Sequence, residues 1–213
     1  MFQLLLQQQY SLFILIITAL ILSLTFHEYG HGIVAKFYGD DTAEKAGRLT
    51  LNPLAHIDPV GLLMVVLIGF GYAKPVPTNP AKFTSPWATL WVAAAGPAMN
   101  LILAIVVINF YQLGLQAGWS LLQGQGPYFF FTFLALINLL LMLFNLIPIG
   151  PLDGHYILPY FLPRKMAIQY MRYNQRYGVY ALLALVGLNF MGIPVFATVW
   201  KIGESLLSFI IFV

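Results

Sequence analysis

The chain has no cysteine among its 213 residues, so neither disulfides nor thiolate metal ligands are open to it. Charge is almost as scarce. Lys, Arg, Asp and Glu together make up 8% of the residues, against about 25% in an ordinary soluble domain. So few charges cannot cover a soluble globule of this size, and 60% of the residues are hydrophobic. The surplus apolar surface has to face lipid, which makes this a membrane protein. The ten Lys and Arg form no soluble basic patch, so no nucleic-acid partner is expected. Internal repeats and low-complexity segments are also missing. Residues 1–10 lack a basic n-region, and no small-residue cleavage site follows, so the first apolar run reads as a retained span. The length suits one membrane-embedded domain over residues 1–213, with a core at 10–160 and C-terminal helices at 177–213.

A hydrocarbon layer about 30 Å thick takes roughly 20 apolar residues in a helix. Residues 10–37, 87–113 and 128–146 meet that length. Residues 60–70, bounded by Pro59 and the Gly69/Gly71 pair, make only half a span and read as a re-entrant segment. Residues 177–190 are apolar but short, and Gly192 and Pro194 break them from the stretch that ends at Val213. Lys36, Lys45, Arg48, Lys74 and Lys82 lie between the first two full spans, and Arg164, Lys165, Arg172 and Arg176 follow the third. The connection over residues 112–127 has no Lys or Arg. The positive-inside rule then puts the basic connections in the cytoplasm and the N-terminus outside. The expected fold is an all-α polytopic bundle with about four full crossings. Lys201 and Glu204 favour an interfacial C-terminal helix over a fifth crossing. Between the first two full spans, residues 47–51 alternate polar and apolar and suggest a small β element. Residues 74–80 (KPVPTNP) suit only an extended edge, because proline lacks the ladder donor.

The chemistry begins with Phe26-His27-Glu28-Tyr29-Gly30-His31. Ionisable residues inside an apolar helix are costly and mark function by default. Positions i and i+4 stack on one helix face, so His27 and His31 can present two imidazoles to one zinc ion, with Glu28 within reach of a water on it. The bland alternative is a helix end with interfacial histidines. Hydrolytic zinc sites usually have three protein ligands and an open position. Asp153 is the natural third ligand, because Pro148, Gly150, Pro151 and Gly154 let the chain turn back toward the bundle; a solvated loop aspartate is the alternative.

In these residues the sequence resembles the site-2 protease family of intramembrane metalloproteases. The likeness rests on FHEYGH at 26–31 and NLIPIGPLDG at 145–154, supported by RLTLNPLAHIDPVG at 48–61 and AGPAMN at 95–100. It looks like a minimal branch, without the added peptide-binding or nucleotide-sensing domain of other members. The resemblance implies His27, His31 and Asp153 as ligands to one Zn²⁺ per chain, and Glu28 as the catalytic base. It also implies cleavage of a transmembrane protein substrate, within or beside its membrane span, by metal-activated water. The minimal architecture suggests the plasma membrane of a prokaryote.

Asn100 and Asn145 are candidates for holding substrate backbone or a developing oxyanion; for Asn100 a helix–helix hydrogen bond competes closely. His56, between Pro53 and Pro59, reads as a structural loop histidine before it reads as a fourth ligand, and His155 as only a weak rival ligand. Cobalt or iron could occupy a His₂Asp site, though zinc suits it best. Two other functions stay open at this point: a metal transporter, which has no specific need for Glu28, and a silent protein that captures transmembrane segments.

Overall fold

The computed structural model describes residues 1–69 and 71–213. Six longer helices organise the chain: α1 (Tyr10–Phe37), α2 (Pro59–Ile68), α3 (Ala88–Gln116), α4 (Gln125–Asn145), α5 (Arg164–Phe190) and α6 (Val195–Ile210). Of the described helices, three are long and apolar enough to cross a membrane: α1, α3 and α4. These three pack on one another, and α6 lies along α4.

Small residues set how closely the three approach. The face that α3 buries carries Ala88, Val92, Ala93, Ala95, Gly96, Asn100 and Ala104, and α1 answers with Ala19, Ser23, Gly30 and Ala35. Among lipid-embedded helices, where tails are as apolar as leucine, such small faces permit the close packing that holds the bundle together. Farther along α3, Ala104, Ile108 and Tyr111 join Leu122, Ala135 and Leu139 in an apolar core, and Leu206, Leu207 and Ile210 of α6 pack against it. Asn109 ties in the C-terminus, donating to Ile210 O at 2.7 Å and accepting from Phe212 N–H at 3.0 Å. The C-terminal stretch is thus a helix bound along α4.

The re-entrant reading of residues 60–70 corresponds to α2, which ends at Ile68; Phe70 lies outside the described residues. Asp58 caps α2 by accepting from Val60 N–H and Gly61 N–H, both at 2.9 Å, and Pro59 occupies the first turn, where its missing N–H costs nothing. Ten residues of helix reach about 15 Å, half a hydrocarbon layer. The chain then folds back: a Cβ on Gly61 would collide with the Tyr72 carbonyl, and one on Gly71 with the Gly61 carbonyl.

No strand forms among the described residues, and residues 47–51 are a turn at Gly47 followed by bends at 49–51. Alternation alone does not make a strand without a neighbour to pair with. Side chains anchor this connection instead. The helix expected at 177–190 is also longer than its apolar part, since α5 starts at Arg164 and carries the whole Arg- and Tyr-rich stretch.

Asp40, whose side chain is fully buried, accepts from Thr42 N–H, the Thr42 hydroxyl and Asn79 N–H. It thereby fastens the extended 74–80 segment to the end of α1. Burial pushes its carboxyl pKa up, but the hydrogen bonds from Thr42 and Asn79 outweigh it and hold the pKa below the ordinary value. A lowered folded pKa stabilises the charged, folded form above the unfolded value of about 4. That contribution is lost as pH falls through the lower folded value. Asp40→Ala is therefore expected to speed amide exchange at Asn79 and Thr42 by tenfold or more at pH 7, with α3 and α4 unchanged. In the parent the same amides should lose protection on acidification below about pH 4. Equal exchange in the two proteins would show that Asp40 anchors nothing.

Candidate metal centre

His27 and His31 sit one turn apart on α1, on the side that faces α3. Gly96 of α3 lies directly opposite, and a Cβ there would collide with the His31 ring and lie 2.6 Å from His27 Cε1. The absent side chain is what makes room for the two imidazoles. The rings meet edge to face with centroids 4.7 Å apart, and their Nε2 atoms are separated by 3.1 Å.

The third group comes from far along the chain. After α4 ends, residues 146–153 turn sharply and return Asp153 to the pair. One carboxylate oxygen lies 3.3 Å from His27 Nε2, and the other lies 3.4 Å from His31 Nε2. The ligand atoms of His27, His31 and Asp153 all fall within 4.8 Å of one another, so this trio could hold a metal ion. It is also the trio expected from the sequence.

The hydrogen bonds behind the rings decide what the trio offers. His31 Nδ1 lies 2.7 Å from the Val92 carbonyl, which can only accept, so that nitrogen carries the proton. His27 Nδ1 lies 2.7 Å from Asn100 Oδ1. The orientation of Asn100 is fixed, because its Nδ2 donates to the Ser23 carbonyl at 3.1 Å and to Asn138 Oδ1 at 2.7 Å. Asn138 Nδ2 in turn donates to Ser23 Oγ at 2.8 Å and to Leu134 O at 2.7 Å. The Ser23 hydroxyl is spent on Ala19 O at 2.7 Å. With both Nδ1 atoms turned to acceptors, each ring presents its Nε2 to the other and to a carboxylate. Three groups able to ligate a cation then converge on one point, and Asp153 Oδ2 is buried without a hydrogen-bond partner. A cation satisfies all three, and ligating histidines generally bind through one nitrogen while the other donates to just such an outer acceptor.

Glu28 follows His27 on α1. Its Oε2 accepts from the N–H of Val76 at 2.7 Å, so the extended segment lies directly against it. The segment is held on either side of that contact, at Asn79 by Asp40 and at Lys74 by two bonds. Arg48 donates to Lys74 O at 2.6 Å, and Lys74 N–H donates to His56 O at 2.9 Å.

The remaining sequence candidates fall in different places. Asn100 is spent on His27 and on the bundle. Asn145 donates to Leu141 O of its own helix at 2.9 Å and, among the described residues, makes no hydrogen bond to the trio. His56 stands apart from the trio, and its Nε2 donates to Thr50 O at 2.8 Å, tying the loop to itself. His155 packs near Tyr170, with ring centroids 5.8 Å apart, and is not one of the three grouped residues. Asn138 was missed. Its signal was present, since an amide in the middle of an otherwise apolar span is the same anomaly that exposed the histidines.

Comparison with known proteins places this site. Residues 15–117 and 115–186 match Peptidase family M50. YwhC of Bacillus subtilis, which carries a provisional zinc metalloprotease name, is 40% identical over 182 residues, covering 82% of this chain and 81% of that protein. Rip2 of Mycolicibacterium smegmatis, named in the same way, is 33% identical over 158 residues, or 68% of this chain and 56% of its own length. The zinc metalloprotease MJ0392 of Methanocaldococcus jannaschii is 31% identical over 149 residues, or 68% of this chain and 34% of its own. No solved structure matches. The chain belongs to peptidase family M50, the site-2 protease family of zinc metalloproteases.

Proposed function

We propose that this protein cleaves peptide bonds within or beside the membrane spans of other proteins, with His27, His31 and Asp153 as ligands to one zinc ion and Glu28 as the general base. The observation that carries the reading is the convergence of two imidazole Nε2 atoms, 3.1 Å apart, on a carboxylate within 3.4 Å of each. Zinc, when bound, supplies charge that stabilises a developing oxyanion and makes water a stronger acid. Glu28 then takes the proton from the attacking water and returns it to the nitrogen of the departing amine. The Val76 N–H holds one Glu28 oxygen and leaves the other for that transfer. Asn100 and Val92 keep the ligating nitrogens free by fixing the proton on the far side of each ring.

A substrate helix must also expose its scissile carbonyl, and backbone groups released in lipid cost several kcal/mol each until they find new partners. The extended 74–80 segment is suited to supply them by strand addition. Prolines at 75, 77 and 80 remove donors, so the segment offers a carbonyl-rich edge that matches the N–H groups of an opened substrate. In the same reading the protein sits in a prokaryotic plasma membrane with its N-terminus outside. The basic connections lie in the cytoplasm, and the apolar second half of α5 completes a fourth crossing. A single domain over residues 1–213 does the work.

Glu28→Gln is expected to lower cleavage of a reporter single-span substrate in proteoliposomes by about 10²- to 10⁴-fold, while bound zinc stays near one per chain. A chelator should abolish cleavage in the parent, and zinc should restore it. Retained cleavage in the Gln variant would remove Glu28 from the base role, and a metal transporter would show no such dependence.

Photocrosslinkers at Lys74, Thr78 and Asn79 should capture the same substrate in the Glu28→Gln background. Labels at Leu121 on the far end of the bundle should not. Capture from neither place, with substrate shown to be bound, would end the strand-addition reading.

A further inference from the structure

The motif that supplies Asp153 ends at Gly154, yet the turn that aims Asp153 is held from outside it. Residues 146–154 close tightly on themselves: Leu152 N–H donates to Ile149 O at 2.9 Å, Tyr156 N–H donates to Asp153 O at 2.9 Å, and a Cβ on Gly154 would collide with the Leu146 carbonyl. A displacement at Gly150 is therefore passed three residues on, to Asp153. The outer side of this turn rests on α5. Tyr170 Oη donates to Pro148 O at 2.9 Å, and Gly150 N–H donates to Asn174 Oδ1 at 3.0 Å. The two surfaces meet so closely that each needs a glycine. A Cβ on Gly150 would lie 2.5 Å from Asn174 Nδ2, and one on Gly178, a turn beyond Asn174, would lie 2.9 Å from the Gly150 carbonyl.

We propose that Asn174, assisted by Tyr170, is a positioning residue for the third metal ligand: it clamps the Pro148–Gly150 turn so that Asp153 meets His27 and His31. The inference rests on the metal reading above. Residue type supports it. Asn174 uses only its oxygen here, since its Nδ2 is buried without a partner. The role is to accept one N–H from a residue whose successor, Pro151, has none to offer. Groups behind a ligand commonly change metal affinity by about 10- to 100-fold when removed. A site of this kind tolerates misplacement of only about half an ångström.

The test is zinc affinity of the purified full chain in detergent, measured by competition with a chromophoric chelator, beside the thermal unfolding of each metal-free protein. Asn174→Leu keeps the shape but leaves Gly150 N–H unpaired, and should weaken zinc about tenfold. Asn174→Asp keeps the acceptor and should stay near the parent. Tyr170→Phe removes one hydroxyl and should weaken zinc by a smaller factor, and it decides the matter if the Leu variant does not fold. Parent-like affinity in the Leu variant, or equal loss in the Leu and Asp variants, would overturn the clamp. Failure of the parent to bind zinc would overturn the metal reading and the clamp with it.

Discussion

The site depends on one constraint, which is that the side-chain donors of Ser23, Asn100 and Asn138 behind the His27 ring are already committed. Inside a bundle with no bulk water, an unpaired polar group costs about 1–3 kcal/mol, so the chain arranges its amides in a closed series. His27 gives its Nδ1 proton to Asn100, Asn100 gives to Asn138 and to the Ser23 carbonyl, Asn138 gives to Ser23, and Ser23 gives back to Ala19. That series crosses α1, α3 and α4. The same bonds that join three membrane helices therefore fix which nitrogen of His27 is free. Fold and the proposed ligand chemistry are set by one network, and a change at Asn138, which among the described residues makes no hydrogen bond to the trio, would reach both.

Much of this was legible in advance because the membrane makes polar residues conspicuous. His27, Glu28 and His31 stood out against an apolar helix, and Asp153 stood out because Pro148 and Gly150 stop α4 just before it. The three full spans followed from length and apolarity alone. Other features left no comparable signal. The 47–51 stretch alternates like a strand, yet what holds that connection is Arg48 reaching Lys74 and His56 bonding to Thr50, contacts between residues whose spacing advertises nothing. Asn100 was visible as an intramembrane amide, but whether it faced substrate or a ligand depended on the rotation of α3 against α1, which a single sequence does not encode. Asn174 was hidden for the opposite reason. It lies among Arg172, Tyr173 and Arg176, where one more polar residue draws no attention.

The connection between α1 and α3 is where these two kinds of information meet. Its extended 74–80 segment is pinned at three points by side chains of different origin: Arg48 on Lys74, Glu28 on Val76 and Asp40 on Asn79. Two of the three are carboxylates twelve positions apart, Glu28 within α1 and Asp40 just past its end, so the segment runs along the helix end that carries the site. Regular pairing could not hold it there, because the prolines at 75, 77 and 80 remove the donors a sheet would use. Acidic side chains take the N–H groups of Val76 and Asn79, and the His56 carbonyl takes that of Lys74. The segment is thus fastened at Lys74 and Asn79 and held against Glu28 at Val76, while among the described residues the carbonyls of 75–78 accept no hydrogen bond. In the proposed function, the same proline content that forbids a strand within the chain would leave its edge to a strand from a substrate.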